Sequence, residues 1–291
     1  MNRFRKWKEW LIEKAILLSG LFSVVFVVLI FLFLLREGLA LFGRYGFADF
    51  LFGQNWYPIS EPPQFGILPL IVGSLLVTLG AAALSVPIGI AAALFIAELA
   101  PSRLKEALKA GIELLAAIPS VVIGFIGMIT LGPWIKSVFQ VPTGLTALTG
   151  SITLAFMAMP TIVSIAEDAI TAVPRQYREA AIAMGATRWQ TTWRIVARAA
   201  RPGMVAAVML GIGRVIGETM AVMMVTGNAA AMPQGMLAPV RTLTATIAAE
   251  MGESVQGGPH YAALFAIGIV LFIITFLING VADLALHRSR R

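Results

Sequence analysis

Two ionisable residues stand four apart inside a long apolar run, Arg214 and Glu218 in GIGRVIGETMAV. A charge near the centre of a bilayer costs at least about 2.5–3.5 kcal/mol on insertion scales, so such residues are kept for a reason. Gly211, Gly213 and Gly217 surround the pair and leave space for a neighbour or a ligand. On a continuous helix, the spacing puts both side chains on one face. Two readings are open. In one, the pair neutralises itself and locks a helix bundle, although Arg before Glu is the less favourable order for a local pair. In the other it lines a path. A guanidinium is a planar fork that matches phosphate oxygens and stays charged when partly dried. Glu218 then competes for Arg214, so that an anion is not held too tightly. It accepts a hydrogen bond only from an anion that still carries a proton. Thr219, next in the chain, belongs to the same candidate path.

A second unusual stretch is basic. EAAIAMGATRWQTTWRIVARAARPG (179–203) and the residue before it hold Arg178, Arg188, Arg194, Arg198 and Arg201. Pro174 stands where a helix starts. Arg175–Met184 reads as a short helix with Tyr177, Ala180, Ala181 and Met184 toward one side. Gly185 suits a left-handed helix end. Thr187 and Gln190 have capping-box spacing, which starts a second helix. The unit is helix, glycine turn, helix. Its alanines give a slim profile that could enter a groove, and an amphipathic helix lying on anionic lipid has the same pattern.

These residues must be positioned by apolar elements. The chain is 58% hydrophobic and 13% charged, against about 25% charged in soluble domains, which excludes an ordinary soluble enzyme. About 20 apolar residues cross a bilayer as a helix. Six runs qualify: 15–35, 65–97, 112–135, 144–166, 203–226 and 261–286. The first is too long for a signal-peptide core and lacks a cleavage site, so it reads as a retained span. Pro69 and Pro87 lie in the second, and Pro119 should kink the third. Asp283 blurs the end of the last. The expected fold is therefore all-α, a polytopic membrane protein of six transmembrane helices in one domain (1–291), with a connector at about 167–202. Small residues four apart (Gly89, Ala93, Ala97; Gly203, Ala207, Gly211; Gly213, Gly217) let helices approach closely.

With the N-terminus inside, 17 Lys and Arg fall on the inner side, four outside and one, Arg214, within a span. The inner set is Arg3, Arg5, Lys6, Lys8, Lys14, Arg103, Lys105, Lys109, Arg175, Arg178, Arg188, Arg194, Arg198, Arg201, Arg288, Arg290 and Arg291. The outer set is Arg36, Arg44, Lys136 and Arg241. The bias places both termini and the basic connector in the cytoplasm. Arg241 lies in an outer loop, on an amphipathic stretch with Val240, Leu243, Thr244, Ile247 and Met251. There it is either a solvated, interfacial arginine or an attractor of an anion at the outer mouth. His260 and Tyr261 would anchor the last span at the interface, as Trp7 and Trp10 would the first.

Other chemistry is missing from the sequence. There is no cysteine, and His260 and His287 stand too far apart for metal-ligand spacing. No glycine precedes a lysine, so there is no nucleotide-phosphate loop and ATP hydrolysis by this chain in the usual way is excluded. No Asp, Glu, His or Ser constellation points to a membrane enzyme.

The connector resembles the EAA loop of the membrane subunits of bacterial ABC importers. The match is EAA, three residues, Gly185, nine residues, Ile195. The family's Leu-Pro after the isoleucine is replaced by Ala197-Arg198, with a proline only at Pro202. FGILPLIVGSLLVTL (65–79), AAIPSVVIGF (116–125), GRVIGETMAV (213–222) and RTLTATIAAEMGE (241–253) are similar to the phosphate-specific importer, its C-type membrane subunit more than its A-type.

The resemblance implies an ABC-importer permease fold in the bacterial cytoplasmic membrane. Arg178, Glu179, Ala180, Ala181, Gly185 and Thr187 would form the coupling element that docks on a cytoplasmic ATPase. Arg214, Glu218, Thr219 and Arg241 would face the substrate path. The implied partners are a homologous second permease, two ATPase copies carrying ATP and Mg, an external phosphate-binding protein, inorganic phosphate and lipid. No cofactor is expected on this chain and no nucleic-acid partner. The competing readings are a stand-alone secondary carrier or anion channel, marked by inverted repeats and helices broken at the midplane, and an ABC permease for sulfate or molybdate.

Overall fold

The computed structural model describes the backbone of residues 3–288 and the side chains of residues 7–280. The side chains of Arg3, Arg5, Lys6, Asp283, His287 and Arg288, and the residues Arg290 and Arg291, lie outside it. Helices dominate: α1 (Arg3–Leu39), α2 (Phe47–Phe52), α3 (Leu68–Leu94), α4 (Ser102–Ala117), α5 (Ser120–Ile126), α6 (Gly132–Phe139), α7 (Ala147–Thr171), α8 (Arg175–Ala183), α9 (Arg188–Gln190), α10 (Ala197–Ile216), α11 (Met220–Val225), α12 (Leu243–Glu250) and α13 (Pro259–Arg288). The exception to the all-α expectation is one small antiparallel hairpin. It pairs β1 (Trp56–Tyr57) with β2 (Gln64–Phe65), Trp56 opposite Phe65.

Among the described residues, six helical segments are long and apolar enough to cross a membrane: Trp7–Gly43, Leu68–Leu99, Ser120–Phe139, Ala147–Thr171, Arg188–Ile216 and Pro259–Gly280. Their outward apolar faces belong in lipid; on α1, Leu21, Phe22, Phe26 and Ile30 are all exposed. That helix packs on α13 through a stacked Phe31–Phe272 pair at 4.6 Å and an edge-on Phe33–Phe265 pair at 5.4 Å.

Several span bounds differ from those read in the sequence, the fifth helical segment beginning at Arg188 rather than 203 and so taking in the end of the expected connector; two of the differences have plain local reasons. The third begins at Ser120 rather than 112, because Ile118, ahead of Pro119, is extended as pre-proline sterics demand. Ile112–Ala117 therefore belong to α4, a separate amphipathic helix without a buried residue. Pro119 separates two helices instead of kinking one. The fifth crossing is interrupted: helix runs to Ile216, Gly217–Thr219 is irregular, and α11 resumes at Met220.

The core is built around α7, with α3 and α10 packed against it. Its small residues permit this. A methyl group added at Gly89 would stand 2.8 Å from Ile162 Cγ2, and one at Gly211 or Gly203 would collide with Ile162 or Ala169. The buried hydroxyls of Ser151 and Thr153 donate to the carbonyls of Ala147 and Thr149, each at 2.8 Å, so they stay satisfied without water. The first amides of α7, which no helix can pair, donate to the carbonyls of Ala238 (3.0 Å) and Met236 (2.7 Å) in the loop before α12. Gly213 and Gly217 meet no neighbouring element, so that pair of small residues packs nothing within this chain.

Near the other end of α7, the Glu167 carboxylate is buried, 1% exposed, and held by Lys105 Nζ at 2.8 Å, Lys109 Nζ at 2.5 Å and Thr171 Oγ1 at 2.9 Å. This cluster docks α4 on the core. The hydrogen bond to Glu167 holds the Lys109 ammonium above its ordinary range, against the opposing effect of burial. Its contribution is complete below the ordinary lysine pKa and is lost only as pH rises past the raised value. We expect Glu167→Gln to cost roughly 2–3 kcal/mol, discounted for partly exposed lysines. Lys105→Met with Lys109→Met should cost more, because it leaves a carboxylate buried and unpaired. Thermal unfolding in detergent measures both, and parental melting of the double variant would rule the cluster out as a docking element.

Candidate functional site

The break in the fifth crossing brings Arg214, Glu218 and Thr219 together, though not as their spacing alone implies. Arg214 is in the last turn of α10, whereas Glu218 lies beyond the helix end. The shared-face geometry expected from four-residue spacing is absent because Gly217 ends the helix. No ion pair joins the two among the described residues. Arg214 Nη1 instead donates to Thr161 Oγ1 at 3.3 Å, and its side chain is exposed on this chain. Glu218 Oε1 accepts the Ala221 amide at 3.2 Å, capping α11. The Thr244 hydroxyl from α12 donates to the Glu218 carbonyl at 2.9 Å, and Thr219 Oγ1 to the Gly217 carbonyl at 3.2 Å. Thr161 is near the middle of α7, so the break sits at mid-depth of the bundle. Among the described residues, a guanidinium bonded to one threonine hydroxyl and a carboxylate with one oxygen bonded to a backbone amide thus flank glycine backbone that meets no other element.

Arg241 lies elsewhere, is 21% exposed and is ion-paired rather than free in solvent. Nη1 donates to Glu250 Oε1 at 2.5 Å and Nε to the Asn228 carbonyl at 3.1 Å. Glu250 also accepts Trp56 Nε1, at 3.0 and 3.2 Å, and meets His260 Nε2 at 2.9 Å. His260 is thus part of a polar cluster, not simply an anchor. The cluster walls an open cleft of about 680 Å³ that is also lined by Tyr57, Ile59 and Glu253. A guanidinium already engaged by a carboxylate is a weak attractor of anions.

The basic connector folds as its local signals require. Gly185 has φ +83°, and the Thr187–Gln190 capping box is made on both sides, at 3.0 and 3.2 Å. Helix α8 has two faces. Ala181 packs inward, while Tyr177, Ile182 and Met184 (88%) are exposed, with Glu179 and Ala180 beside them. Arg178 turns inward to Glu98 rather than outward. Sequence reasoning passed over Glu98, Glu167 and Glu250. The first two stand as lone or paired acids at the edges of apolar runs, which was the available signal. Glu250 carries no such mark.

Comparison with known proteins places this geometry. The family described as binding-protein-dependent transport system inner membrane component matches residues 85–291. The chain is 42% identical over 229 residues to a probable ABC transporter permease protein, YqgH, of Bacillus subtilis, covering 79% of this chain and 74% of that one. It is 37% identical over 263 residues to the phosphate transport system permease protein PstC of Mesorhizobium japonicum, covering 84% and 79%. Its fold is similar to a chain in the crystal structure of a bacterial alginate ABC transporter in complex with an alginate pentasaccharide-bound periplasmic protein. The TM-score is 0.67 at 17% identity, over 98% and 95% of the two chains. With six apolar crossings, an ABC permease architecture and a family match over most of its length, the chain belongs to the binding-protein-dependent transport system inner membrane components.

Proposed function

We propose that the chain is the C-type transmembrane subunit of an ATP-driven phosphate importer. In this reading it forms the translocation path with a second permease, takes phosphate from an external binding protein and couples to two ATPase copies through α8. The observation that carries it is the mid-depth break in the fifth crossing, with Arg214 free of Glu218 on a face this chain leaves open. The name of the PstC relative supports phosphate as the anion. A homologous subunit facing Arg214 would close the path.

The chemistry rests on the two side chains. Arg214 offers a phosphate oxygen charge-assisted N–H donors while Thr161 steadies its fork. Glu218, anchored through one oxygen to the Ala221 amide, presents the other. A hydrogen phosphate can donate a hydrogen bond to it, whereas sulfate, fully ionised at neutral pH, meets only repulsion. Release is favoured by the same repulsion once the phosphate gives up that hydrogen bond.

In membrane vesicles holding the assembled complex, Arg214→Gln should lower phosphate uptake about tenfold or more, the scale of a lost charge-assisted hydrogen bond. Arg214→Lys should not restore it fully, since a point charge lacks the fork. Glu218→Gln should narrow discrimination against sulfate. A double neutral variant that assembles and transports at the parental rate would make the pair scaffolding.

Gly185 has open space around it, so Gly185→Val acts through backbone strain alone, about 1–2 kcal/mol for a side chain in the left-handed region. The variant should insert normally yet recover less ATPase on purification; full recovery with normal uptake would argue against docking through α8. The proposed orientation puts both termini in the cytoplasm. A reporter after Arg291 should read inside and one near Gln256 outside, and the reversed pair would overturn it.

A further inference from the structure

One side chain of α8 is bonded to two spans at once. A guanidinium has five N–H donors in a rigid plane, and Arg178 uses all three nitrogens. Nε faces both oxygens of Glu98 at 3.1 and 3.3 Å. Nη2 donates to Glu98 Oε1 at 2.6 Å and to the Ile170 carbonyl at 3.0 Å. Nη1 donates to the Val173 carbonyl at 2.5 Å. Glu98 lies in the π-helical turn Phe95–Leu99 that ends the second span. Ile170 and Val173 stand at the end of the fourth. The Ile170 carbonyl also accepts the Val173 amide at 3.2 Å, and a cation suits the negative end of the helix dipole. The two side chains are only 22% and 11% exposed, so water competes little for the bonds.

We propose that the Arg178–Glu98 pair is the joint through which movement of α8 reaches the second and fourth spans, so that both are positioning residues of the transport cycle and not docking contacts. The proposal rests on the reading of α8 as the element an ATPase moves. Spans two and four already form one body, since Gly89 lies against Ile162 and Ser151 donates to the Val77 carbonyl at 3.2 Å. The other side-chain attachments of α8 are slight, Ala181 being its one buried residue. Without the joint, α8 can tilt while the body stays still. Lysine cannot replace the arginine, because a single ammonium does not reach two carboxylate oxygens and two carbonyls in fixed directions.

The test uses the full complex in proteoliposomes, with ATP and inorganic phosphate, and reads phosphate moved per ATP hydrolysed. The parental complex comes first: absence of a bound ATPase there defeats the importer reading itself, before any variant bears on the joint. Glu98→Gln and Arg178→Lys should keep ATPase recovery and lower the ratio about tenfold, the scale of a charge-assisted bond lost. Their combination should be no worse than the poorer single variant, as for residues acting through one contact. The chain has no cysteine, so Glu98→Cys with Arg178→Cys can be bridged by a short bifunctional thiol reagent. Bridging should restore the ratio, or restore assembly if the unbridged variant loses its ATPase. A parental ratio in Glu98→Gln, or a bridged pair no better than the unbridged one, would overturn the proposal.

Discussion

Backbone amides and carbonyls in a bilayer must find partners within the protein, and the fifth crossing exposes several of them where α10 stops at Ile216. Much of the site's geometry can be understood as the answer to that demand. The Thr244 hydroxyl takes the Glu218 carbonyl, the Glu218 carboxylate takes the Ala221 amide, and the Gly217 and Glu218 amides reach back to Gly213 and Val215. These bonds fix where Glu218 points. They also turn it away from Arg214, which the helix end leaves reaching toward Thr161. A helix continuous through Gly217 would have stacked the two charges on one face, where they could cancel.

The treatment of carboxylates divides the molecule. Glu98, Glu167 and Glu250 are each met by basic side chains and each ties elements together: α8 to the ends of two spans, α4 to α7, and the hairpin and α13 to the segment around α12. An ion pair shielded from water stabilises little on balance but costs heavily when one partner is removed, which makes such pairs good fixed joints. Glu218 is held instead by a backbone amide and joins no ion pair among the described residues. The three paired carboxylates thus sit where elements are tied together, and Glu218 sits at mid-depth without an ion pair among the described residues.

A broken helix at mid-depth was also the mark expected of a secondary carrier, so the break alone does not separate the two classes. The α8 unit does. Its exposed Tyr177, Ile182 and Met184 stand on a short helix whose inner side is bonded to the core. The family match over residues 85–291 agrees with that reading of the unit.

Hydropathy alone located the six crossings, because lipid requires long apolar helices whatever the tertiary packing. Purely local rules also found the connector's shape: Pro174 opens α8, Gly185 takes the positive φ that ends it, and Thr187 with Gln190 caps α9. Those determinants lie within a few residues of one another, so the sequence carries them openly. The helix end at Gly217 was not legible, since a glycine in an apolar run is compatible with both a continuous helix and a stop, and the Thr244 hydroxyl that satisfies the stop comes from another element. Nor were the partners of Glu98 and Glu250, which lie 80 residues away in Arg178 and 194 away in Trp56. Only folding brings such groups within hydrogen-bond reach, and only there does it emerge that Arg178 and Arg241 are engaged by carboxylates while Arg214 meets a threonine hydroxyl.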